Sequence, residues 1–99
     1  MGEFPLDSQE FVIYTDLEKC REMARELISI LDNYYEKGKI EGFFFSVIEN
    51  YDDALDEDLY VDEENEQYPF LWVNITYRKD NAPLEEIESI REKYNLERC

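Results

Sequence analysis

The chain has no histidine, two cysteines, three glycines and three prolines in 99 residues. Without histidine there is no side chain that ordinarily titrates near neutrality and no imidazole metal ligand. Cys20 and Cys99 alone do not make a zinc site or a disulfide framework. Cys20 falls on the apolar side of an expected helix and reads as a small core residue. Cys99 is the last residue, and whether the two pair is left open by the sequence. No apolar run approaches the roughly 20 residues that span a bilayer. The first residues, Met1-Gly2-Glu3-Phe4-Pro5, lack the basic and apolar regions of a secretory signal, so the expected location is cytoplasmic. The most informative absence is internal. From Ile40 to Tyr77 there is no Lys or Arg, while eleven of those 38 residues are Asp or Glu.

What is present bounds the fold. An apolar fraction of 43%, with eight Tyr and six Phe, is incompatible with wholesale disorder. A chain of this size buries roughly 65% of the surface its unfolded form exposes, enough for one modest core and a single domain spanning 1–99. The formal net charge is −16, from 26 acids and 10 bases. Such an excess favours solubility, opposes compaction, and disfavours binding to nucleic acid phosphates or an anionic membrane.

Residues 1–8 read as a flexible leader. Glu10–Thr15, rich in β-branched and aromatic residues, reads as a strand. Thr15-Asp16-Leu17-Glu18 matches a capping box, with Thr15 as N-cap. Apolar residues at Leu17, Cys20, Ala24, Leu27, Ile28 and Leu31 then form one stripe of a helix that ends near Gly38. Gly42–Ile48 is apolar on nearly both faces and is expected inside the sheet. In Pro69–Tyr77, Leu71, Val73 and Ile75 alternate with Trp72, Asn74 and Thr76, as in a strand with one face inward. Asn81 is an expected cap, and Leu84, Ile87, Ile90 and Tyr94 mark a second amphipathic helix. The order β-α-β-(acidic excursion)-β-α predicts an α/β two-layer sandwich. Its small mixed sheet would carry both helices on one face, with a parallel β-α-β crossover. The excursion, 49–68, admits two local forms. Tyr51, Leu55 and Leu59 have helical spacing, and Leu59-Tyr60-Val61 fits a short edge strand.

Chemistry is sparse. Carboxylates are too abundant for any pair to signal acid–base catalysis. Asp56-Glu57-Asp58-Leu59-Tyr60-Val61 lacks the spacing and central Gly of an EF-hand. There is no Gly-rich phosphate loop, and Ser29 and Ser46 have no histidine to activate them. No catalytic residue, metal or cofactor is expected, and the protein is read as a non-enzyme. The acidic excursion is the candidate binding segment, through Asp52, Asp53, Asp56, Glu57, Asp58, Tyr60, Asp62, Glu63, Glu64, Glu66 and Tyr68. Ten acids fall between Glu49 and Glu66, which in an extended chain averages about one charge per 6 Å, the order of phosphate spacing along a nucleic-acid strand. Tyrosines within it suit an interface core. Charge runs are commonly solvated loops, and that remains the plain alternative.

In size, acidity and mixed α/β pattern the chain is similar to two classes of small inhibitors. One is the immunity proteins that neutralise nuclease toxins. The other is phage-type DNA mimics that block restriction, defence or DNA-binding proteins. Both imply a basic protein partner and no direct binding of nucleic acid. The immunity reading is preferred because the acids concentrate in one segment, whereas Asp16–Lys37 mixes six acids with four bases. A third expectation is a non-catalytic adaptor that binds through a sheet edge or an aromatic face. Self-repulsion among the acids has a direct consequence. Added salt should raise the melting temperature of the free protein between low and moderate ionic strength, as screening relieves like-charge crowding. A flat or falling melting temperature in a calorimetric salt series would show the acids to be compensated within the fold.

Overall fold

The computed structural model describes residues 5–57 and 67–98. Strand β1 spans Leu6–Tyr14 and is followed by helix α1, Leu17–Glu36. Strand β2, Gly42–Ile48, leads into a short helix α2, Tyr51–Asp56. Strand β3 runs Phe70–Arg78, a 3-10 turn occupies Lys79–Asn81, and helix α3 spans Leu84–Tyr94. A two-residue strand β4, Glu97–Arg98, completes the sheet. The expected α/β two-layer arrangement is present, with α1 and α3 on one face of a four-stranded sheet.

The sheet differs from expectation in two respects. Its order is β2-β3-β1-β4, and every neighbouring pair is antiparallel rather than mixed. Strands β1 and β2 still point the same way, since each is antiparallel to β3, but β3 lies between them. The α1 connection thus skips one strand position, and β3 fills the slot with an alternating row that can be covered on both sides. Consequently β2, expected inside the sheet, is an edge strand. Its apolar character on both faces reflects cover from α1 on one side and contact with Trp72 on the other, not two flanking strands.

Local corrections follow from competing caps and from pairing. Asp16, not Thr15, is the N-cap of α1, its carboxylate accepting the Lys19 N–H at 2.9 Å. Leu6–Ser8, read as part of a leader, pair with Thr76–Arg78 as the first residues of β1. Gly38 sits at φ 76, where Gly38 N–H and Lys39 N–H donate to the carbonyls of Tyr35 and Tyr34 and close the helix end, as a glycine in this position allows. Asn95 at φ 56 ends α3 the same way, its N–H donating to Glu92 and that of Leu96 to Arg91. That turn returns the chain to the free side of β1 as β4. Pro83, not Asn81, precedes α3 at its N-cap.

The main core lies between the helices and the sheet. It joins Cys20, Leu27 and Leu31 of α1, Ile87, Ile90 and Tyr94 of α3, Phe11 of β1, and Leu71, Val73, Ile75 and Tyr77 of β3. Cys20 is buried there as expected, and burial pushes its thiol above the ordinary cysteine range. Leu27 and Ile28 are chain neighbours with opposite environments, 0% and 50% exposed. Leu27→Ala should cost about 2–5 kcal/mol through lost burial and a residual cavity. Ile28→Ala should change stability by about 1 kcal/mol or less, as surface substitutions do. Urea unfolding of the two variants measures the difference, and equal losses would show that α1 does not pack on this face.

Candidate functional site

Two features meet on the face of the sheet opposite α1 and α3: the helical start of the acidic excursion, and a set of aromatic rings. Helix α2 begins because Asn50 is extended and its side chain accepts the Asp53 N–H at 2.9 Å. Asp53 returns the interaction one residue further out, its carboxylate accepting the Glu49 N–H at 3.1 Å. Asp52 and Asp53 lie in the first turn, where the exposed N–H groups favour negative charge. The last turn is different. It holds Asp56, is followed by Glu57, and has no base, so these carboxylates face the negative end of the helix, which disfavours them.

Six residues of helix do not persist in water without packing. Ala54, fully buried, supplies it by closing with Ile48 and Phe70 into a second small core, against which Val12, Tyr68 and Trp72 also pack. The Tyr68 and Phe70 rings lie 5.7 Å apart and those of Tyr14 and Phe70 5.5 Å apart. The excursion therefore begins as a helix fastened to the sheet, one of its two expected forms, but the residue that packs is Ala54, and Leu55 of the expected apolar spacing is 51% exposed. Burial of Ala54 directs Asp52 and Asp56 to solvent, with Asp53 and Glu57 partly exposed.

Of the expected binding residues, Asp52, Asp53, Asp56 and Glu57 are gathered on α2. Asp53 is partly engaged in the cap, and Tyr68 is a packing residue of the second core. Asp58, Tyr60, Asp62, Glu63, Glu64 and Glu66 lie outside the described residues, as does Leu59-Tyr60-Val61. Phe44 and Trp72 share the open face, with ring centroids 5.6 Å apart and planes at 64°. Glu10 and Glu97 also belong to it, by register with Asn74 and Val12. Sequence reading missed both acids, because cross-strand register and not chain proximity makes them neighbours of the rings.

Most of the paired bases lie away from α2. Arg78 grips Asp80 through two bonds of 3.1 and 2.7 Å, and this holds the Asp80 carboxyl below the usual range. Glu88 is held low likewise, first by its hydrogen bond from Arg91 and then by Arg98, whose guanidinium lies 2.7 Å away. Lys39 pairs with Glu86 at 3.4 Å. Near α2, Arg21 reaches Glu49 at 3.4 Å, with both side chains about half exposed, so that pair is well screened.

A groove of about 690 Å³ runs between α1 and α3 on the other side of the sheet, lined by Ser29, Asp32, Asn33, Tyr34, Ser89 and Lys93 among others. Among the described residues no group of three or more Cys, Asp or Glu is arranged to hold a metal ion. No described helix is long and apolar enough to cross a membrane. Compared with known proteins, the chain matches no family model, curated protein or solved structure.

Proposed function

We propose that the protein is a small non-catalytic inhibitor that docks its acidic segment on a basic protein, as an immunity protein neutralising a nuclease toxin in the cytoplasm. The observation that carries this reading is the charge on α2. Asp56 and Glu57 sit at the helix end that disfavours them, with no base in that turn, on a helix held by the burial of one alanine. Placing like charges there works against the fold, and a cationic partner offsets the cost. Three acids of α3 and of the β3–α3 turn are instead paired internally, Glu86 with Lys39, Glu88 with Arg91 and Arg98, and Asp80 with Arg78. A single concentrated acidic surface suits the groove of one nuclease.

A DNA-mimicking decoy of a restriction, defence or DNA-binding protein shares the same physics and differs in the partner. The adaptor reading is favoured by one feature, the half-exposed Phe44 beside Trp72. A pull-down from host lysate at low salt separates the three. The parent should capture a basic nuclease or DNA-binding protein. A variant with Asp52→Asn, Asp56→Asn and Glu57→Gln should lose it, and the parent's capture should fall steeply as salt rises. Identification of the captured protein decides between toxin and DNA-binding target. Equal capture by parent and variant, insensitive to salt, would contradict the inhibitor reading and favour the adaptor.

A further inference from the structure

The open face of the sheet has a region beyond the cover of α2 where aromatic rings and carboxylates are interleaved. By register, one row across this face is Glu10, Asn74 and Phe44, and the next is Glu97, Val12, Trp72 and Ser46. Phe44 is 50% exposed and meets Trp72 edge to face. Glu10 and Glu97 are exposed on one flank, and Glu10 also accepts a bond from the Asn74 amide at 3.4 Å. On another side stands α2 with Asp52 and Asp56, joined to the patch because Trp72 packs on the core beneath Ala54. Among the described residues the base on this face is Arg78, farther along β3 and already bonded to Asp80.

We propose that this face binds an extended, arginine-bearing segment of a basic protein, with one guanidinium over the Phe44–Trp72 pair beside Glu10 and a second basic group of the segment met by Glu97. The proposal rests on the reading of an acidic inhibitor and gives that surface its apolar anchor. The chemistry is complementary in each part. A guanidinium is planar, weakly hydrated and stacks on aromatic faces, and its fork matches carboxylates. The rings supply contact area that charge alone lacks, and buried aromatic anchors dominate interface energetics. A second copy of the chain is a poor occupant, because pairing two chains of formal net charge −16 each through their acidic faces would bring like charges together.

Trp72 is the single tryptophan, so its indole N–H is a unique reporter of this face. The test is an NMR titration of the 15N-labelled full chain at low salt. The probe is the blocked peptide Gly-Arg-Gly-Arg-Gly, with the lysine peptide of the same length beside it. The Trp72 indole and the Phe44 and Glu10 amides should shift saturably, and the arginine peptide should bind more tightly. Phe44→Ala should weaken binding about two- to fivefold, the contribution of a cation over an exposed ring. Glu10→Gln with Glu97→Gln should weaken it without disturbing the spectrum of the free protein. Shifts confined to Asn50–Glu57 would overturn the aromatic anchor and leave the acidic reading standing. No salt-dependent shift anywhere would overturn both. Concentration-dependent broadening of Phe44 and Trp72 without peptide would assign the face to a second copy and also overturn the proposal.

Discussion

The contact on which the proposed binding surface depends is the closure of Ala54 and Ile48 over Phe70. Without it, α2 is a six-residue acidic peptide, too short to be helical in water and free to spread its charges apart. With it, four carboxylates are held close together beside the open face of the sheet. The packing involved is small, and the opposing charge of Asp56 and Glu57 at the helix end reduces what it leaves. The acidic surface is thus a locally weak region fastened to a strong one, since Phe70 begins the strand whose Leu71, Val73, Ile75 and Tyr77 line the main core.

Strand order explains why acids and aromatics meet. Because β3 is inserted between β1 and β2, Trp72 lies in the middle of the open face, with Ser46 on one side and Val12 on the other. Phe44, one row along, leans on Trp72 from the edge strand, and β4 brings Glu97 to the opposite border. Strand β2 then runs directly into Glu49 and α2. An acidic helix and an aromatic patch, which as sequence features suggest different kinds of protein, therefore lie on one continuous face.

Much of this was legible in the chain, for identifiable reasons. The stripe from Cys20 through Leu27 to Leu31 and the alternation of Leu71, Val73 and Ile75 are periodic over several turns or residue pairs, and both predicted the buried side, although Ile28, counted in the same stripe, lies at its margin and is 50% exposed. The interior position assigned to Gly42–Ile48 failed because an apolar run records cover above and below a strand and says nothing about its neighbours within the sheet. Leu6-Asp7-Ser8 carries no strand pattern, since all three are exposed, and only pairing with β3 makes it part of β1. Two-residue β4 has no propensity signal at all. The N-cap of α1 moved by one residue because Thr15 and Asp16 are both competent and lie side by side. For α2 the residues Asn50-Tyr51-Asp52-Asp53 do contain a cap and its reciprocal carboxylate, but the surrounding acidity masked them.

Amide hydrogen exchange of the free protein at Ala54–Glu57 reads out directly whether packing holds the acidic segment against the sheet. Measurable protection is expected at Ala54 and Glu57, whose N–H groups donate to the carbonyls of Asn50 and Asp53. That protection should vanish in Ala54→Glu, which cannot close on Phe70, while the β3 amides stay protected. Exchange of Ala54 and Glu57 at the rate of an unstructured peptide in the parent protein would contradict it. The acids would then belong to a solvated loop rather than to a surface held in place.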